Sequence, residues 1–245
     1  MNALTRSLAT YWNSSIGKKT IVAVTGLFLI LFLAGHLAGN LVVFLGPDAF
    51  NAYADMLHHM LHGAGIWVFR IVLLVMLGAH VIATIQLTRL NRAARQAYQF
   101  QGTIQASRSS RMMILSGLTI LAFFVYHILH FTVRAGNQYD DPALYSYLLD
   151  GRQVHHAWKM VVDGFSVWYV SAFYVVAMTL LCSHLMHGFA SVFQTLGLRS
   201  KKSAGLLGQL SVAYSLVIWV GFVSIPAAIL LFPGYFDQLA QSTAP

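Results

Sequence analysis

Five long apolar runs constrain this chain more than any other feature. They lie near residues 20–45, 66–87, 112–133, 165–191 and 206–232 of 245. Each is long enough to cross a bilayer as a helix, which takes about 20 residues. In hydrocarbon no water satisfies the backbone, so each run must close its own hydrogen bonds as a helix. Only 9% of residues are charged and 58% are hydrophobic, whereas soluble domains carry roughly 25% charged residues. The expected fold is all-α: one integral membrane domain over residues 1–245, a bundle of five transmembrane helices. Little chain is left for a water-soluble catalytic domain.

Charge sets the orientation. Arg6, Lys18 and Lys19 precede the first span; Arg89, Arg92, Arg95, Arg108 and Arg111 follow the second; Arg199, Lys201 and Lys202 follow the fourth. The other side holds Arg70, Arg134, Arg152 and Lys159 with all seven aspartates, and there is no glutamate. The positive-inside rule then puts the N-terminus in the cytoplasm and the C-terminus outside, in a multi-pass protein of the cell's inner (cytoplasmic) membrane. This asymmetry accounts for the net charge of +8 without a nucleic-acid partner. The start does not read as a cleaved signal, because the run after Lys18-Lys19 is too long and no small-residue cleavage site follows. Residues before it suggest a short interfacial helix carrying Tyr11 and Trp12. FNAYADMLHHMLHG suggests a second surface helix, and Arg134–Asp163 reads as the longest loop. Pro226 is expected to kink the fifth span. Cys182 is the only cysteine, which excludes an internal disulfide and a CxxC iron–sulfur motif.

Four of the five runs carry a histidine deep inside: His36, His80, His127 and His184. A buried imidazole is costly in hydrocarbon and needs a partner. At 1.5 Å per residue, His36 and His127 fall about 6–7 Å to the outer side of the midplane. His80 and His184 fall about 5–7 Å to the inner side, so the two levels are about 12 Å apart. Two pairs at two depths suit two flat cofactors, each gripped from both sides, and haem with axial histidine is the candidate. Gly35 and Gly39 flank His36, Gly78, Ala79 and Ala83 flank His80, and Ser183 and Gly188 flank His184, leaving room for a macrocycle. Small residues also serve plain helix packing. A proton or metal pathway would combine histidine with carboxylates, and no acid lies inside any run. His130 and His187, three residues beyond His127 and His184, satisfy the depth argument nearly as well. Near the surfaces, His130, His187 and Lys159 are candidates for haem propionates, and Gly39 for the pocket wall.

Several stretches resemble one family: SSIGKKTIVAVTGLFLILFLAGHLAGNL, SGLTILAFFVYHILHFT and SHLMHGFASVFQTLGL, with VMLGAHVIAT less distinctive. Over nearly its whole length the chain resembles the cytochrome b membrane anchor of succinate:quinone oxidoreductases and fumarate reductases, in the single-chain, five-helix, two-haem form. The resemblance implies two haem b groups, with His36 and His127 ligating the outer one and His80 and His184 the inner one. It selects His127 because Gly117 stands ten residues before it, and His184 because Gly188 stands four after it. It also implies a flavoprotein and an iron–sulfur subunit on the cytoplasmic face, a respiratory-chain role beside the tricarboxylic acid cycle, and a quinone, menaquinone for the two-haem type. Succinate chemistry would belong to the flavoprotein, with no catalytic residue for it here. Quinone candidates are Tyr53, Asp55 and His59 outside, or Trp12, Ser15 and Lys18 inside. Some relatives carry a carboxylate two positions before the fourth-span ligand; Cys182 stands there instead.

Two other readings compete. One is the cytochrome b anchor of another dehydrogenase, such as a hydrogenase or nitrate reductase. The other is a histidine-lined proton or metal transporter without haem.

Overall fold

The computed structural model describes residues 2–93 and 108–242; Arg95 and the middle of the Asn91–Arg111 loop lie outside them. Among the described residues the chain forms an all-α bundle with five helices long and apolar enough to cross a membrane. They are α2 (Ser15–Leu41, extended by a 3-10 turn to Leu45), α4 (Ala64–Ala93), α5 (Arg108–His127, extended by a π turn over Ile128–Thr132), α8 (Trp168–Thr195) and α9 (Ala204–Leu231). Shorter helices are α1 (Ala3–Asn13), α3 (Pro47–His59), α6 (Pro142–Tyr145), α7 (Ala157–Ser166) and α10 (Pro233–Ser242).

Local chemistry fixes the ends. The Ser14 hydroxyl accepts from Gly17 N at 2.9 Å and caps α2. Gly17 is required there, since a Cβ would stand 1.9 Å from the Tyr11 carbonyl of α1. α8 begins at Trp168, later than the sequence expectation of Phe165. Extended backbone at Val167 (φ −80°, ψ 106°) breaks the run, and Phe165 belongs to the last turn of α7, which ends at Ser166. The buried Ser171 hydroxyl then donates to Phe165 O at 2.6 Å. Pro226 sits inside α9, which continues to Leu231.

The region read as one long loop contains structure of its own. Strands β1 (Ser146–Leu149) and β2 (Arg152–His155) form an antiparallel hairpin, registered Ser146 to His155 and Leu149 to Arg152. The turn between them places Asp150 and Gly151 at φ 47° and 76°, the pair of positive values that a two-residue hairpin turn needs. The hairpin docks on α3 through Tyr147 to Asp48 and Arg152 to Asp55 at 3.3 Å. Asn51, fully buried, accepts from Trp158 N at 2.9 Å, and Trp158 Nε1 donates to Val43 O at 2.8 Å. These elements cap one end of the bundle; the other end carries Lys19, Arg89 and Arg199.

α8 is the central helix and packs against α2, α5, α7 and α9. Lipid gives apolar helices no reason to associate, so close contact and polar bonds hold them. Buried Ser211 accordingly donates to Met186 O at 2.5 Å, and the Tyr214 hydroxyl donates to Ile30 O. α4 packs on α2 and α5 on α8, with no comparable packing between α4 and α5. That leaves a cleft between the two pairs.

Candidate dihistidine cleft

The cleft measures about 3080 Å³ and is lined by His36, His80, His127 and His184. Pockets for a single ligand run to about 1,000 Å³, so there is room for more than one.

At the capped end His36 of α2 meets His127 of α5, with ring centroids 5.8 Å apart and planes at 80°. Two imidazoles sharing one metal, with bonds of about 2 Å on each side, would have centroids roughly 6 Å apart. Phe32 stacks on His36 at 5.2 Å, and Phe123 lies 6.0 Å from His127. The Asn40 amide donates to His36 O at 2.7 Å and lies 3.3 Å from its Nδ1. The Tyr174 hydroxyl stands 3.4 Å from His127 Nδ1 and 3.1 Å from His130 Nδ1.

At the other end, hydroxyls fix the tautomers. Thr25 Oγ1 spends its only proton on Ile21 O at 2.6 Å, so towards His80 Nδ1, 3.1 Å away, it accepts. Ser116 Oγ likewise donates to Met113 O at 3.1 Å and accepts from His184 Nδ1 at 3.3 Å. Both rings then carry the proton on Nδ1 and keep the Nε2 lone pair for a ligand, the arrangement that orients metal-bound histidine. Gly26 of α2 lies against His80, and Gly117 of α5 against His184, where a Cβ would come within 3.3 Å and 3.5 Å of the ring carbons.

These surroundings fit haem. A macrocycle supplies four nitrogens of its own and asks the protein for two axial ligands. Among the described residues no three His, Cys, Asp or Glu converge, so pairs are what the cleft offers. Beside Gly35, Gly78 and Gly188 an added Cβ would meet nothing within 4 Å. Arg70 and Arg134 line one end of the cleft and Lys19, Arg89 and Arg92 the other, with Asp55 the one carboxylate among the described lining residues.

Other sequence candidates fall in different places. His187 lines the cleft, whereas His130 turns out of it, against Phe131 at 4.0 Å. Gly39 lines it too, but the Tyr53 hydroxyl occupies the space a side chain would need. Lys159 lies outside it, 2.5 Å from Asp163 and 4.6 Å above the Tyr145 ring. Tyr53, Asp55 and His59 share the capped end, with Asp55 3.1 Å from His59 and 3.3 Å from Arg152. Trp12, Ser15 and Lys18 do not line the cleft; buried Lys18 donates to Trp12 O at 2.8 Å and ties α1 to α2. Nothing in the chain marks Thr25, Ser116 or Tyr174 as the partner of an imidazole 55, 68 or 47 residues away. Sequence reasoning also missed Asn40, one turn after His36 on the same helix, although its i,i+4 spacing could have found it.

Above the cleft, burial together with the Arg134 guanidinium lowers the His155 pKa to about 4. Burial and Lys159 do the same to His156, also to about 4. No protein-family model, curated protein or solved structure matches the chain.

Proposed function

We propose that this chain is a dihaem cytochrome b, the membrane anchor of a complex of the succinate dehydrogenase or fumarate reductase kind. One observation carries the proposal: four histidines from four helices line one apolar cleft, His36 facing His127 with ring centroids 5.8 Å apart, and three of the four have Nδ1 against a hydroxyl. Haem b held between two imidazoles supplies a one-electron carrier. His36 and His127 would hold one group and His80 and His184 the other. Thr25, Ser116 and Tyr174 orient the rings, while Phe32 and Phe123 keep water from them.

By the positive-inside rule the basic end faces the cytoplasm, so the capped end is outer and His36 and His127 serve the outer haem. The basic end is the docking face for an iron–sulfur subunit and its flavoprotein, which interconverts succinate and fumarate. A quinone, menaquinone by resemblance, exchanges electrons with the anchor. Tyr53, Asp55 and His59 are the better quinone candidates, because they share the cleft with His36. A histidine-lined transporter is less well supported, since Asp55 alone among the described lining residues offers a carboxylate for a proton path.

The test is a reduced-minus-oxidised spectrum of the complex purified from its own membrane, with succinate as reductant, beside haem and flavin analysis. The proposal expects two low-spin b haems per chain, succinate-reducible, with copurified flavin. Haem without flavin or succinate reduction would move the chain to another dehydrogenase; no haem would overturn the proposal.

A further inference from the structure

Arg134 follows the π turn and has φ 59°, a conformation a bulky residue adopts only when its surroundings force it. Its Nη1 donates to the exposed Asp140 at 2.6 Å, which leaves the Nε edge turned the other way. That Nε is buried without a hydrogen-bond partner, and so is Nε2 of His155, the last residue of β2. Both residues line the capped end of the cleft, with His58 and Arg70 beside them. Asp55, the carboxylate nearby, is taken by His59 and Arg152. Buried polar atoms in native proteins nearly always have partners. A guanidinium can only donate, so the missing partner is an acceptor, and planar carboxylate suits the fork of arginine best.

We propose that Arg134 and His155 form a carboxylate-binding site at the capped end of the cleft. The carboxylate is either a propionate of the haem between His36 and His127, which rests on the function proposed above, or a small soluble carboxylate entering from that side. The site takes over the propionate role that sequence reasoning gave to Lys159, whose amine is engaged by Asp163.

The test uses the full chain in lipid nanodiscs, in a His80→Ala background that keeps the capped-end haem alone. Haem loss to an apo-globin scavenger is timed after loading with haem b or with its dimethyl ester. Losing a charge-assisted bond should speed release about tenfold. If the partner is a propionate, Arg134→Gln and His155→Phe each speed loss of haem b and not of the ester, while Lys201→Gln changes nothing. The ester should also leave the unmutated site faster, an arm that needs no variant to fold. If the partner is soluble, both haems behave alike, and carbon-13 acetate binds the haem-free wild type but not Arg134→Gln. Unchanged haem b release together with no acetate binding would mean that water satisfies these atoms, and would overturn the site. A wild-type chain that takes up no haem overturns the proposed function instead, and acetate binding then decides this site alone.

Discussion

The imidazoles of His36 and His127 meet edge to face, 5.8 Å between centroids, although one belongs to α2 and the other to α5. Each of these helices leans on α8. Their shared neighbour α8 brings the two rings together, and a bound iron would add a direct link. His36→Ala or His127→Ala should therefore remove one haem and spare most of the other. His80→Ala or His184→Ala should do the reverse. Haem quantitation and low-temperature spectra of the four variants check this; loss of the same haem from His36→Ala and His80→Ala would break the pairing.

Thr25 and Ser116 hold their imidazoles by Nδ1. Thr25→Val and Ser116→Ala should keep both haems while shifting the potential of the inner one, because ligand basicity changes when the partner of a bound histidine is lost. Redox titration reads the two steps separately. A shift confined to the outer step would show that these hydroxyls serve the wrong ring.

Tyr174 reaches both His127 and His130 with one hydroxyl. Tyr174→Phe should move the potential of the outer haem alone. His130→Gln and His187→Gln should each retain two haems by the same spectra. Loss of a haem from His187→Gln, with His184→Gln unaffected, would move the fourth-span ligand by one turn.

Asn51→Leu should destabilise the capped end by about 1–3 kcal/mol, because it strands the buried N–H of Trp158. Thermal unfolding in nanodiscs and protease cleavage within the 146–155 hairpin are the readouts. An unchanged melting temperature would mean the hairpin is held by its edge contacts with Asp48 and Asp55 instead.

Acid should loosen this cap. In the folded chain the pKa of His155 and of His156 is held down to about 4, against about 6.5 for a free imidazole. Between those values the unfolded chain binds more protons, so stability is fully present above pH about 6.5 and falls as pH drops towards 4. Arg134, Asp140 and His58 surround His155, and Lys159 and Asp163 flank His156. Protonated His156 can no longer accept at Nδ1 from Lys159 N, 3.3 Å away. Hydrogen exchange in the hairpin should accelerate across that window, and His156→Gln should flatten the dependence.

The sequence alone determined five helices, with ends within about six residues of those observed, and that four of them carry histidines in their interiors. Those properties belong to each segment by itself: apolar length measures a helix against the bilayer, and residue count along it measures depth. It did not determine the hairpin over 146–155, whose strands take their register from a turn and their place from α3. Nor did it determine which small and polar residues face which histidine. Gly117, counted along α5 as a marker for His127, lies instead against His184 of α8. Gly39, counted as room for a cofactor, is where Tyr53 packs. The π turn after His127 breaks the 3.6-residue rhythm, and His130 within it meets Phe131 and Tyr174 without itself lining the cleft. Spacing along one helix fixes angle and depth relative to that helix's own axis, whereas the partner across the cleft is fixed by how α2, α5 and α8 pack.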